Sequence, residues 1–405
     1  MSRILIVGCG FPQLSLIRLA RRLGHHVVGA DMNPRAPAVK DCNEFIEVST
    51  NDVDGLCSAM AKTHADAITT SGSEVSLKAT ASVAARLKLP FHADPETIRR
   101  CQEKDAMRAG YEAGGVPVPP FARCETLADV EAFVHAHGFP LVIKPSRGWG
   151  QRGVARVDEP SELGIAFEGA MAQSKSAGLA MVVVEAFLDG GEYSVNGWIE
   201  NGTLANYCVT ERITVPGKRP LGVMVAELFP SSLPADQEAL VIEAARLGAK
   251  ALGHTRGPCY SQVMLGKRGA YLLETAARMG GGFDADVTRL ASGVDLYERV
   301  LGVALDDPKL EAAGKTHEAH PAAVAKFLIG KPGVVRSISG VDAARARRGV
   351  VEADVFIPVG GEVFPLTDSA KRAGYVLCWG DSRQDVLATA DAALSDMQLV
   401  TEPQS

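Results

Sequence analysis

The chain has 405 residues, too long for one compact core and suited to two or three domains, and its 46% apolar and 22% charged content is that of an ordinary globular protein. A net charge of −6 excludes the basic excess that a nucleic-acid surface needs, and no apolar stretch approaches a membrane span. Arg18, Arg21 and Arg22 interrupt a signal-peptide-like start, and the eight scattered cysteines lack CxxC or zinc spacing, so reduced core thiols such as Cys9, Cys208 and Cys378 and a cytoplasmic location are expected.

Arg3-Ile-Leu-Ile-Val7 reads as a buried strand, and Gln13 to Leu23 carries helical periodicity that stops at Gly24. His26-Val-Val-Gly-Ala30 is the next strand, with Asp31 at its end. Ala65 to Thr70 and a helix from Val75 to Leu87 continue the alternation. Residues 1–95 are therefore expected to form a parallel βαβ domain. Gly8-Cys-Gly10 with Asp31 suggests a dinucleotide site, but Gln13 stands where the third glycine of that fingerprint belongs. NAD binding is not expected.

Residues 96–120 are predicted to link this domain to the next, with a helical run from Pro95 to Ala113 that contains Lys104. Gly114-Gly-Val-Pro-Val-Pro-Pro120 then opens a new unit, a small α/β lid over 121–190. Within it, the strand-like Leu141-Val-Ile-Lys-Pro145 delivers Lys144 and breaks into a loop holding Gly148, Gly150 and Gly153 with Arg147 and Arg152. Glycines let backbone N–H groups approach an anion closely, and the cations add charge, as a flap over a nucleotide triphosphate requires. The lysine precedes the glycines, so this is not a Walker loop. Taken alone, the segment also reads as a basic surface turn. Lys144 lies inside an apolar run, a costly place for a charge without a partner. Lys104, in Gln102-Glu-Lys-Asp105, also reads as a helix-surface lysine.

Met181-Val-Val-Val-Glu-Ala-Phe-Leu188 is a short apolar strand, and Glu192 follows Glu185 by seven positions. Glu192 to Ile199 and Thr203 to Ile213 flank an Asn-Gly turn, and the basic loop Thr214-Val-Pro-Gly-Lys-Arg-Pro220 comes next. Cys259 to Leu265 and Ala270 to Ala277 flank Gly266-Lys-Arg-Gly269 as a second hairpin. A turn centred on Arg268 pairs Gln262 with Glu274 on one face. Two oxygen-bearing side chains there suit Mg²⁺, which shares oxygen ligands with phosphates, although Glu274 alone reads as a solvated carboxylate. Arg278-Met-Gly-Gly-Gly282 adds a guanidinium and a glycine nest, with a surface pair to Asp284 or Asp286 as the plainer reading of Arg278. Residues 191–305 form the expected catalytic body. The remainder, 306–405, reads as short strands and a helix from Arg383 to Met397. The nine histidines offer no catalytic dyad or metal cluster, and His254 and His320 read as structural.

The order of lysine, lysine with Gly-rich flap, Glu-x6-Glu and a hairpin ending in Glu-x-x-x-Arg resembles the ATP-grasp superfamily of carboxylate–amine and carboxylate–thiol ligases. The resemblance covers nearly the whole chain. Glu274-Thr-Ala-Ala-Arg-Met-Gly-Gly-Gly282 is most similar to the L-amino-acid (dipeptide) ligase branch. The implied fold is α/β and α+β: an N-terminal parallel pre-ATP-grasp domain that helps hold the carboxylate substrate, a lid, a body, and a C-terminal α+β region completing the substrate side. The implied cofactors are ATP and Mg²⁺, with Mn²⁺ as the alternative ion. By resemblance, Lys104 and Lys144 reach phosphate oxygens under the flap of Gly148, Gly150 and Gly153. Glu185, Ala186 and Leu188 border the adenine, mostly through backbone groups, and Glu192 binds ribose hydroxyls. Gln262 and Glu274 hold the metal, Arg278 is the catalytic cation, and Gly280, Gly281 and Gly282 face the substrate.

Two positions depart from the common family pattern. Gln262 stands where many relatives have Glu, which removes a charge, and Ala276 stands where many have an Asn that the L-amino-acid ligase branch also lacks. The implied reaction is ligation of a carboxylate, expected to be an amino acid, to an amine through an acyl phosphate. Partners would be these small molecules, with no nucleic acid or membrane, in a homodimer. A carboxylase-like or purine-pathway ATP-grasp enzyme, or an ATP-binding protein without turnover, are the other readings.

Overall fold

The computed structural model describes residues 1–148, 151–217 and 221–403. Strands Arg3–Val7, His26–Asp31, Glu44–Glu47 and Ala67–Thr69 form a parallel sheet, with the first strand between the second and the fourth. Ile4 and Ile6 pack with Leu16 and Ile17 of the helix Phe11–Arg22, while Leu5 and Val7 pack with Leu56 and Val83 on the other side. Both faces are covered, which is why this strand is apolar throughout. The helix begins two residues before its predicted start, with Pro12 in its first turn supplying a preset φ.

The predicted helical run from Pro95 divides into Pro95–Gln102 and Lys104–Ala113. Glu103 between them takes an extended backbone, φ −89° and ψ 111°, and its buried carboxylate meets Arg99 at 3.0 Å and Arg147 at 2.7 Å. The break matters because it puts Lys104 at the start of a helix.

The lid is a four-stranded antiparallel sheet in the spatial order Phe121–Cys124, Val182–Ala186, Leu141–Pro145, Ala155–Val157. Helices Leu127–His137 and Leu163–Ser176 cover it through Val130, Phe133, Ala166 and Ala170. An eight-stranded sheet forms the body, in the order Gly269–Ala276, Gly257–Gly266, Gly190–Glu200, Thr203–Thr214, Met224–Phe229, Ala322–Leu328, Gly374–Gly380, Val350–Val355. Residues beyond 305 thus supply three of its strands. Asn201 and Gly202 turn the middle hairpin with φ of 50° and 77°, the left-handed pair that a two-residue turn needs.

The second hairpin has a finer register than a symmetric turn on Arg268. Gly266 pairs with Gly269 and Val263 with Leu272, so the turn proper is the two residues Lys267 and Arg268. A one-residue bulge at Leu273 then shifts the ladder, and the shift brings Gln262 opposite Glu274. The predicted pair forms through a bulge, a device that re-aims side chains. Among the described residues no helix is long and apolar enough to cross a membrane.

Candidate active site

Two cavities meet at the Gln262–Glu274 pair. The smaller, about 340 Å³, lies between the lid and the body; the larger, about 1280 Å³, runs from that pair toward the N-terminal domain and the C-terminal strands. Gln151, Arg152, Gln262 and Glu274 line both.

The smaller cavity gathers most of the residues expected at a nucleotide site. Lys104, Lys144, Gly148, Glu185, Ala186, Leu188 and Glu192 all line it. Lys104 Nζ donates to the Gly148 carbonyl at 3.1 Å. Burial lowers its pKa, with the nearby Glu274 carboxylate opposing. It is not a helix-surface lysine. Lys144 finds its partner in Glu185, Nζ to Oε2 2.5 Å. Arg108, two contacts deep into the same carboxylate, donates through Nε at 2.9 Å and through Nη2, while its Nη1 reaches the Leu272 carbonyl at 3.2 Å.

Glu185 was expected to contribute mainly backbone; its side chain, 3% exposed, is buried between two cations. Burial works against its charge, but Arg108 and Lys144 outweigh it and hold the carboxyl at about 2. The Arg108→Ala variant would strip a buried carboxylate of one of its two cations. A loss of about 3–5 kcal/mol in urea unfolding is the expected result, and a loss under about 1 kcal/mol would show the pair to be dispensable. Arg108 gave no sequence signal, since Arg108 and Glu185 lie 77 residues apart.

The smaller cavity also has an apolar wall. Val142, Val154, Phe187, Met264 and Leu273 line it, and the Arg156 guanidinium covers the Phe187 ring at 4.0 Å. Met264 was findable, because it shares a strand face with Gln262 two residues away. Leu273 was not, because it enters at the bulge. Thr214, Val215, Pro216 and Gly217 also border the cavity, whereas Gly150 and the segment 218–220 lie outside the described residues. Gly153, expected in the flap, has φ +70° and is not among the residues lining either cavity; a Cβ there would meet Gln173 Cβ at 3.2 Å.

Glu192 accepts from Gln262 Nε2 at 2.8 Å and lies 3.4 Å from Arg212 Nε. Arg212 is a residue that sequence reasoning missed. It is buried in the body sheet, and its Nη1 donates to Tyr260 Oη at 2.8 Å. Beneath it, burial raises the Glu227 carboxyl to about 8, with Asp284 adding to the rise and Arg212 opposing it.

Arg278 lines the larger cavity with Gly280, Gly281 and Gly282. Neither Asp284 nor Asp286 is its partner. Its Nη2 pairs with Glu74 Oε1 at 2.6 Å, from the first turn of the helix Glu74–Leu87, and its Nη1 donates to the Met279 carbonyl at 2.9 Å. The two aspartates are engaged elsewhere. Asp284 accepts from Gly282 N at 2.8 Å and Asn196 at 3.3 Å, and Asp286 accepts from Tyr297 Oη at 2.9 Å. The Asp284 carboxylate also explains the nest, since a Cβ on Gly280 would fall 2.1 Å from its Cγ.

At the N-terminal wall, Cys9 N donates to Asp31 Oδ2 at 2.8 Å, and Gln13 Nε2 donates to the Ser71 carbonyl at 2.6 Å. Asp31 therefore closes the Gly8-Cys-Gly10 turn, and Gln13 fills the space over Gly8. His254 is buried with Nε2 3.0 Å from the Pro258 carbonyl, and His320 stacks on Trp379 at 4.3 Å. Asp295, Glu298 and His317 converge away from both cavities, but Asp295 caps its helix through Tyr297 N at 2.8 Å and lies 3.9 Å from Arg289.

This arrangement of lid, hairpin and paired cavities is that of an ATP-grasp domain, and the chain's matches support a place in the ATP-grasp ligase superfamily. Residues 137–286 match the ATP-grasp domain, and residues 326–402 match the L-amino acid ligase C-terminal domain 2. The chain is 26% identical over 397 residues to the uncharacterized protein y4rH of Sinorhizobium fredii, covering 96% of this chain and 80% of that one. It is 28% identical over 257 residues to the alanine–anticapsin ligase of Bacillus subtilis, covering 59% of this chain and 53% of that protein, about half its length. Its fold is also that of an L-amino acid ligase from Bacillus licheniformis, with a TM-score of 0.81 at 22% identity over 99% of each chain.

Proposed function

We propose that this chain joins a carboxylate, an amino acid, to an amine at the expense of ATP, releasing ADP and phosphate. The observation that carries the reading is the meeting of the two cavities at Gln262 and Glu274. A nucleotide in the smaller cavity would end where a carboxylate in the larger one begins. The apolar slot of Val142, Phe187, Met264 and Leu273 suits a flat base, and Lys104 and Lys144 suit its phosphates.

Glu192 is the ribose candidate. Gln262 gives its amide nitrogen to Glu192, which leaves its oxygen to join Glu274 as a hard-ion donor. That donor set fits Mg²⁺ or Mn²⁺, which would neutralise phosphate charge when bound.

In the proposed reaction a substrate carboxylate oxygen attacks the γ-phosphorus and the bond to the β-γ bridging oxygen breaks, giving an acyl phosphate and ADP. The amine nitrogen then attacks the acyl carbon, phosphate leaves, and the amine gives up its proton. Such transfer needs positioning and charge neutralisation, which Lys104, Lys144 and Arg278 supply. The flap residues Gln151 and Arg152, at the junction of the cavities, would exclude water from the acyl phosphate. The names of two relatives, an alanine–anticapsin ligase and an L-amino acid ligase, support an amino acid substrate.

ADP release measured against pooled amino acids, with mass spectrometry of the products, tests the reading. Turnover that needs two amino acids supports it. Dependence on bicarbonate, or tight ATP binding without turnover, overturns it. Lys144→Ala is expected to weaken ATP binding by about 1.5–3 kcal/mol, the worth of one charge-assisted contact. The variant also takes one of two cations from Glu185, so stability should fall as well, and ATP affinity is read below the melting temperature of the folded variant. Unchanged ATP affinity in the folded variant would remove Lys144 from the site.

A further inference from the structure

Two free thiols meet behind the N-terminal wall of the larger cavity. Cys9 is buried in the turn after the strand Arg3–Val7, and Cys42, half-buried, follows the 3-10 turn Val39–Asp41. Gly29 lies beside both, in the strand His26–Asp31, where it pairs with Ile6 on one side and Phe45 on the other. A Cβ on Gly29 would fall 2.6 Å from Cys9 Sγ and 2.6 Å from Cys42 Sγ, so the two sulfurs lie at most twice that distance apart. The space left by the missing side chain is what lets them approach. Their segments are also joined through Ala38, whose N–H donates to the Cys9 carbonyl at 2.9 Å and whose carbonyl accepts from Cys42 Sγ at 3.4 Å.

Two sulfurs filling a core is the plainer account, but the pair is chemically unequal. A hydrogen bond between the thiols lowers the pKa of Cys42, while the same bond and burial raise that of Cys9. Cys42 is also the more exposed of the two. An attacking thiol with a resolving thiol beside it has this arrangement. We propose that Cys9 and Cys42 are a modification site, a reversible disulfide formed with a hydroperoxide as oxidant. The Cys42 thiolate attacks the terminal peroxide oxygen and the O–O bond breaks. The departing oxygen takes up the proton that Cys42 released and leaves as an alcohol or water, so Cys42 becomes a sulfenic acid. The Cys9 sulfur then attacks the Cys42 sulfur, the S–O bond breaks, and the hydroxide takes the Cys9 proton to leave as water. The two thiols together lose two electrons and the peroxide gains them. A dithiol reductant reverses the bond by exchange.

The bond would reshape the wall in front of it. Gly10 and Phe11 follow Cys9, Val39 and Lys40 precede Cys42, and all four line the larger cavity. Closing the sulfurs to about 2.0 Å draws these two stretches together. The lysines and the apolar slot expected to hold the nucleotide lie in the smaller cavity, away from the thiols. Under the reaction proposed above, on which only this consequence rests, oxidation should lower kcat/KM for the amino acid about 10- to 100-fold, as a misplacement of about 1 Å can do, and leave ATP affinity unchanged.

Treating the full-length protein with hydrogen peroxide, then alkylating and digesting it for mass spectrometry, tests the pairing without reference to activity. A Cys57→Ser background removes the other half-buried thiol. The expected result is a peptide that links Cys9 to Cys42 and vanishes with dithiothreitol, together with slower amide hydrogen exchange over residues 36–42. In Cys9→Ala, dimedone should trap Cys42 as its sulfenic acid; in Cys42→Ala, Cys9 should stay reduced. Folded protein that keeps both thiols under peroxide would overturn the proposal, as would oxidation of Cys42 with no link to Cys9. A linked protein with unchanged exchange and unchanged kcat/KM would overturn the effect on the wall. Absence of ADP release from the reduced protein would instead overturn the ligase reading, with the linked peptide still supporting the disulfide.

Discussion

Glu274→Ala should abolish turnover, since it removes the one full negative charge of the Gln262–Glu274 pair. An amide oxygen alone is a weak site for a hard divalent ion, so Mg²⁺-dependent tightening of ATP binding should disappear as well. Calorimetric titration of ATP with and without Mg²⁺ reads that loss independently of activity. Gln262→Glu is the informative counterpart. It places a second carboxylate beside Glu274 and should retain activity with tighter metal binding. The structure adds a cost. Position 262 lies 2.8 Å from Glu192, where the amide now donates and a second carboxylate would repel. The Gln262→Glu protein should therefore melt at lower temperature than the wild type without metal and recover when Mg²⁺ is added. A nucleotide-bound crystal structure with Gln262 more than about 5 Å from every metal would contradict the shared site, because Mg²⁺–oxygen bonds are near 2.1 Å.

Arg278→Lys should lower kcat by about 100-fold or more with little change in the KM for ATP, the pattern of a contact made mainly in the transition state. Lysine keeps the charge but not the planar fork, and this fork already spans Glu74 and the Met279 carbonyl. The Glu74 pair offers a competing account, in which Arg278 only ties the N-terminal domain to the hairpin. Glu74→Gln separates the two. A simple tether predicts that Glu74→Gln and Arg278→Lys lose the same stability and that turnover follows stability. A residue facing the phosphoryl group predicts that Arg278→Lys loses far more turnover than Glu74→Gln at comparable melting temperatures.

Much of the candidate site is legible in the sequence. Lys144 stood out because a charge inside an apolar strand needs a partner. Glu274 and Gln262 stood out because hairpin pairing is local and its register follows from a short turn. The register nevertheless came out right for an incomplete reason: the turn has two residues, and the bulge at Leu273 makes up the difference. The break at Glu103 was not legible, because it is held by Arg99 and by Arg147 of the flap, the latter a tertiary contact. Gly153 was legible as a glycine of the flap, but its packing against Gln173 was not, because that contact is tertiary.

What the sequence alone determined was local: the alternation of strand and helix, the Asn-Gly turn, the Gly-rich loop after Lys144, and the spacing of Glu274 and Arg278. These depend on backbone preferences and side-chain periodicities that act over a few residues. Tertiary structure decided which charges meet. Arg108 reaches Glu185, Arg278 reaches Glu74, and Arg212 reaches Glu192. Nothing in local spacing encodes those pairings, because electrostatic and hydrogen-bond partners in a buried site are chosen by distance and desolvation after the sheets and helices have packed.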